Sequence, residues 1–259
     1  MPSTLTRRRA AVIALLVLLP AAVLAAGTAL RPAGPAPAVW VTPAAPPVPP
    51  PLLLAGYDFD GPRPWDDVSR HGHHLTPFGG NRARPRRVPH GAGRAVQFPR
   101  PCDREPCPRL ILRVPSTPAL NPGAAPFSYG ATVRLSARDT TAGQNVLQKG
   151  YAAEGSQYKL QIDGRRGHPS CVMRGEDSRA IHVALAPIGV ADGDWHRLEC
   201  RRTRTDLILL VDGSPHAAVR IPPGLRVDNA MSLNIGGKSA HAHNDQFHGA
   251  VDDIFLSKP

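Results

Sequence analysis

The stretch DGDWHRLECRRTRTDLILLVDG, from Asp192 to Gly213, decides how this chain folds. In its first half His196, Leu198 and Cys200 share one side of an extended segment while Arg197, Glu199 and Arg201 share the other. That is the period of two expected of a half-buried strand with a solvated outer face. TRTD then makes a turn into DLILLVD, whose continuous aliphatic run reads as a buried strand of a sheet interior. Asp212-Gly213 closes it with a dipeptide able to adopt positive φ. The result is an antiparallel meander.

Outward from this hairpin the same grammar recurs. Upstream, short β-branched and aliphatic runs begin at Leu52 (LLLAGYDFD), Arg94 (RAVQF), Arg109 (RLILRV), Ser128 (SYGATVRL), Asn145 (NVLQKG), Tyr158 (YKLQID), Ser170 (SCVMR) and Ala180 (AIHVAL). Downstream come MSLNIGG from Met231 and FHGAVDDIFL from Phe247. Gly, Pro, Asn and Asp separate them, and no segment sustains a helical period. The fold class is all-β, a two-sheet antiparallel jelly-roll sandwich; a βαβ fold would need intervening helices.

Ahead of the strands, Arg7, Arg8 and Arg9 precede an Ala/Leu/Val-rich run from Ala10 to Leu30, broken by Pro20 and ending in small residues. Residues 1–30 read as a signal peptide cleaved near Gly27 or Ala29, or as an uncleaved signal anchor. The chain is then secreted or anchored at the cell surface, and an uncleaved anchor is its only implied contact with a membrane. Residues 31–51 carry too much proline for a helix or a central strand and form an extended linker. The sandwich takes residues 52–259, enough chain for one core.

The formal charge is +11, of which the four arginines ahead of residue 52 supply four, leaving +7 for the sandwich. That excess suits acidic glycans or cell-wall polymers, and it equally follows from the arginine bias of a GC-rich genome. Aromatic residues make up 5% of the chain, too few stacking platforms for a nucleic-acid partner. Four cysteines behind an export signal predict two disulfides. Three connectivities exist; only DREP separates Cys102 from Cys107, a loop they can staple, which leaves Cys171 to join Cys200.

DGDWHRLECRRTRTDLILLVDG followed by LNIGG at Leu233 and FHGAVDDIFL resembles the laminin G-like group of the concanavalin A-like lectin and glucanase superfamily. YDFDG at Tyr57, DVSRHGHHLTPFGG at Asp67, GAGRAVQF at Gly91, FSYGATVRL at Phe127 and NVLQKG follow that group's order, so the resemblance spans roughly residues 53 to 257. It implies an exported module that binds a glycan or an extracellular protein at the sandwich rim, without catalysis, often with calcium. Asp252 matches the last-strand aspartate of calcium-binding members, and Asp58 and Asp60, on a first strand that can neighbour the last, complete the implied calcium ligands.

Other candidate chemistry is thinner. The glucanase branch uses carboxylates alternating along one strand, whereas Glu105, Glu154, Glu176 and Glu199 are scattered and no ExDxxE run exists. EGSQY lacks the closing glycine of a serine-nucleophile elbow. Asn244, Asp245 and Gln246, in the loop from Ser239, offer amides and a carboxylate suited to sugar hydroxyls. His71, His73 and His74, and His241 with His243, are loop imidazoles that read as solvated more readily than as zinc or copper ligands. Arg82, Arg84, Arg86, Arg87 and Arg94 read as a solvated basic loop, and Trp195 with His196 as structural. Two alternatives to a binding module stand: a glycoside hydrolase-like enzyme with an atypical site, and a structural cell-envelope protein.

Overall fold

The structure, a computed structural model, describes residues 50–259; segment 1–30 and nearly all of the linker 31–51 lie outside the described residues. The strands are β1 Leu52–Tyr57, β2 Thr76–Gly80, β3 Arg86–His90, β4 Gly93–Gln97, β5 Arg109–Val114, β6 Phe127–Ser136, β7 Gly143–Gly150 and β8 Gln157–Asp163. They continue as β9 His168–Arg174, β10 His182–Leu185, β11 Asp192–Arg202, β12 Asp206–Val211, β13 Ser214–Arg220, β14 Leu233–Ile235 and β15 Ala250–Lys258. The first sheet has eight strands, ordered β13-β12-β11-β6-β15-β4-β3 with β1 also on β15; the second has seven, β10-β9-β8-β7-β14-β5-β2. Every strand pairing is antiparallel.

The β11–β12 hairpin pairs Leu198 with Val211 and Cys200 with Leu209, and all four residues are buried between the sheets. Three strands escape the sequence pattern: β2, β3 and β13. Each is an edge strand, and an edge needs neither a continuous apolar face nor every backbone donor, so Pro77, Pro89 and Pro215 are tolerated there. The basic run expected as a solvated loop therefore supplies, at Arg86–His90 and Gly93–Gln97, a hairpin at the margin of the first sheet.

Phe127, Tyr129 and Tyr158 meet at the centre of the sandwich with ring centroids 5.0 to 5.2 Å apart. The Tyr158 hydroxyl donates to Leu120 O at 3.1 Å and that of Tyr129 to Lys159 O at 3.3 Å, so burial strands neither phenol. Lys149 is wholly buried, and its ammonium donates to Ser116 Oγ, Asn229 O and Asn229 Oδ1 at 2.8 to 3.1 Å. Gly236, at φ 86°, sits where a Cβ would lie 1.9 Å from the Phe98 ring, so only glycine fits.

Both disulfides follow the pairing read from the spacing. Cys102–Cys107 closes a small exposed loop, and Cys171–Cys200 ties β9 of the second sheet to β11 of the first. The second bond cross-links the unfolded chain over 29 residues, a constraint worth about 3–4 kcal/mol in the loop-entropy model. Replacing Cys171 and Cys200 together by alanine is expected to lower unfolding free energy by about that much in urea titrations. Removing Cys102–Cys107, which spans 5 residues at the surface, is expected to cost less.

Candidate functional site

Two depressions lie on the outward faces of the sheets. On the second sheet, pairing sets Val183 opposite Val172, Val172 opposite Lys159, Lys159 opposite Gln148, and Gln148 opposite Asn234. Gln157 and Gln161, two residues to either side of Lys159, share its face. All of these but Asn234 line a hollow of about 380 Å³ bounded by Tyr151, Lys238 and Asp245. Ile181 and Val183 leave 52% and 43% of their surface exposed at its margin. The floor is pre-ordered: Gln148 accepts from Asn145 Nδ2 at 2.6 Å and donates to Gly150 O at 2.7 Å, and Gln161 donates to Asp163 Oδ1 at 2.7 Å. Burial lowers the Lys159 ammonium from its ordinary pKa, with Asp245 and Asp163 pulling the other way.

On the first sheet, a groove of about 1130 Å³ is lined by Leu53, Val68 and Phe255, with Arg197, Arg201 and Arg204 among its walls. The Arg197 guanidinium lies 4.5 Å over the Phe255 ring. This lining is more apolar than the hollow and lacks its amides.

Beside the groove, β15 changes register. Its upper edge pairs with β4 at Ala250 and Val251 and with β1 only from Ile254 onward, and a bulge separates Asp252 from Phe255. Asp253 takes a left-handed φ of 44° there, so two consecutive carboxylates converge instead of pointing to opposite faces. His90, at the end of β3, meets them with Nδ1 2.6 Å from Asp252 Oδ2. Burial pushes the Asp252 carboxyl up to about 6, against the opposing pull of the His90 hydrogen bond.

The carboxylates expected to join Asp252 do not form a ligand group with it. Among the described residues, the group whose donor atoms lie within 4.8 Å of one another is His90, Asp252 and Asp253. Asp60 accepts the Arg94 amide at 2.7 Å and Asp58 the Asp60 amide at 3.1 Å, so local backbone donors claim both where the chain leaves β1. Nor does the donor set fit calcium, which takes about six to eight oxygen ligands, because an imidazole nitrogen occupies the place of one.

Comparison with known proteins places this geometry. The laminin G domain family model matches residues 146–258, from β7 to the end of β15. The sandwich is a laminin G-like domain. The binding domain of Paraclostridial Mosquitocidal Protein 1 superposes with a TM-score of 0.62 at 12% identity, over 80% of this chain and 48% of that one. Domain 4 of AbnA, a GH43 extracellular arabinanase from Geobacillus stearothermophilus solved with arabinotriose, gives 0.60 at 14% identity, over 80% and 93%. The receptor binding domain of botulinum neurotoxin D gives 0.58 at 10%, over 80% and 49%. This chain thus spans about half of each toxin chain, and at such identities the likeness is one of fold. No curated protein sequence matches the chain.

In the laminin G-like domain the rim loop from Ser239 is structural. Gln246 is buried; its Oε1 accepts from Leu110 N at 2.8 Å, and its Nε2 donates to the carbonyls of Leu110, Gly236 and Phe247 at 2.6 to 3.0 Å. Asn244 is buried as well and donates to Ser239 O at 2.7 Å. The amides expected to meet sugar hydroxyls are spent on the backbone where β14 ends and β5 begins. Asp245 alone stays exposed, 3.1 Å from the Lys238 ammonium. Gln246→Ala is expected to cost about 2–3 kcal/mol of stability through the buried groups it orphans, read from denaturant midpoints, and to leave ligand binding intact.

Of the histidines, His73 is buried, with Nδ1 3.0 Å from Leu54 O and Nε2 2.9 Å from Thr117 Oγ1, while His71, His74, His241 and His243 are exposed. Trp195 stacks on His90 at 4.0 Å and carries Arg134 at 4.9 Å, and His196 lies between Asp192 and Asp212 at 3.1 and 2.8 Å. Burial pulls the His196 pKa down, but hydrogen bonds to Asp212 and Asp192 outweigh it and leave the value raised. The stability this lends is complete below the unfolded pKa of about 6.5 and is lost as pH rises through the higher folded value. Melting temperatures followed from pH 6 to 8 are expected to fall less for His196→Gln than for the wild type.

Proposed function

We propose that this laminin G-like domain is an exported, non-catalytic recognition module that binds a glycan in the hollow on the outward face of the second sheet. The observation that carries this reading is the cross-strand row Val183, Val172, Lys159 and Gln148, flanked by Gln157 and Gln161. Gln161, half-buried beside the Lys159 ammonium, presents an amide that donates and accepts at once, as sugar hydroxyls do, while Gln148 and Gln157 are buried and hold the floor beneath. The apolar margin and Tyr151 offer flat ground for the C–H faces of a ring. A hollow of about 380 Å³ lies within the size range of small-ligand sites.

The acids around the hollow support binding without turnover. Asp245 is the one carboxylate lining it, and Lys238 holds it; retaining hydrolysis needs a second carboxylate about 5 Å away. Two disulfides suit an oxidising compartment. Recognition is also what the names of the fold neighbours describe: the arabinanase domain was solved with arabinotriose, and the toxin domains are binding domains.

A protein partner is the second reading, favoured by the apolar groove of the first sheet with Arg197 over Phe255. A glycan array followed by calorimetry on the best hit separates the two. Lys159→Ala and Gln161→Ala are each expected to weaken binding about tenfold, the worth of one good polar contact, with Arg197→Ala unchanged. Loss of binding in Arg197→Ala alone would move the site to the groove.

A further inference from the structure

We infer that His90, Asp252 and Asp253 form a binding site for a borderline divalent ion of the zinc class at the edge of the first-sheet groove. The three donors come from distant parts of the chain, with His90 and Asp252 separated by 162 residues in sequence. The β3–β4 hairpin delivers the imidazole, and the β15 bulge delivers both carboxylates to one place. Their donor atoms lie within 4.8 Å of one another. A tetrahedral ion with bonds of about 2.0–2.2 Å sets its ligands about 3.3 Å apart. The 2.6 Å between His90 Nδ1 and Asp252 Oδ2 then has to open by about 0.7 Å, while any donor separation near the 4.8 Å limit closes by about 1.5 Å.

Outer contacts already hold the ligands in place. Asp253 N donates to Asp252 Oδ1 at 2.8 Å, Thr132 Oγ1 donates to Asp253 Oδ2 at 3.2 Å, and the His90 ring packs on Trp195 with centroids 4.0 Å apart. Such supporting bonds fix ligand orientation in metal sites. The mix of one imidazole with two carboxylates selects zinc, nickel or copper over calcium, which prefers an all-oxygen shell. Three protein ligands leave a coordination position free, and Asp253, exposed and lining the groove, turns it toward that space. A water or a ligand donor group can fill it.

The test is calorimetric titration of the EDTA-stripped and dialysed protein with Zn2+ and, separately, Ca2+, alongside His90→Gln, Asp253→Asn and a His241→Gln, His243→Gln double variant. Circular dichroism checks that each is folded. Zn2+ is expected to bind one per chain and to raise the melting temperature. His90→Gln and Asp253→Asn are each expected to weaken it at least about tenfold, with the exposed-loop double variant unchanged and Ca2+ silent. Zn2+ binding that survives His90→Gln, or that vanishes in the loop variant, would overturn the assignment, as would binding of Ca2+ alone.

Discussion

Successive side chains of a strand point to opposite faces of its sheet, and in this sandwich one face of every interior strand is committed to the space between the sheets. Leu198, Cys200, Leu207 and Leu209 of the first sheet meet Leu160, Ile162, Cys171 and Met173 of the second there. The disulfide between Cys171 and Cys200 fixes the two layers to each other. Chemistry is thereby driven to the outward faces and the rims. Two cations that do enter the interior find oxygen acceptors there: Lys149 donates to Asn229 O and to the side chains of Asn229 and Ser116, and Arg202 donates through both terminal nitrogens to the carbonyls of Gly123 and Leu225, its Nε staying without a partner.

The fold was legible because alternation is local. The stretch Asp192–Gly213 carries its own strand period, turn and buried run, and those residues form β11 and β12, paired antiparallel. The strands that were not legible, β2, β3 and β13, are edges, where proline and arginine are as acceptable as valine.

The site was less legible because it depends on pairings between strands far apart in sequence. β14 lies between β5 and β7, and β15 between β6 and β4, so neither Asn234 opposite Gln148 nor His90 beside Asp252 is visible in any spacing. Asp252 stood out from the sequence, but its partners did not. The Asn244 and Gln246 amides have the right chemistry for sugar hydroxyls, yet the same chemistry satisfies strand ends, and burial decides between the two roles. Once β7, β8 and β9 are paired, the outward residues of three recognisable strands become one surface. The two outward faces then divide the chemistry, with amides and an ammonium on the second sheet and apolar residues and guanidinium groups on the first.

Recognition on the outward face of the second sheet can be followed by NMR shift mapping of the isotope-labelled protein during titration with a glycan selected on an array. Recognition there predicts the largest changes at the side-chain amide of Gln161 and at the backbone of β7 to β9 around Lys159, with the loop 239–246 and the first sheet still. Changes confined to that loop, or to Arg197, Phe255 and their neighbours, would contradict it.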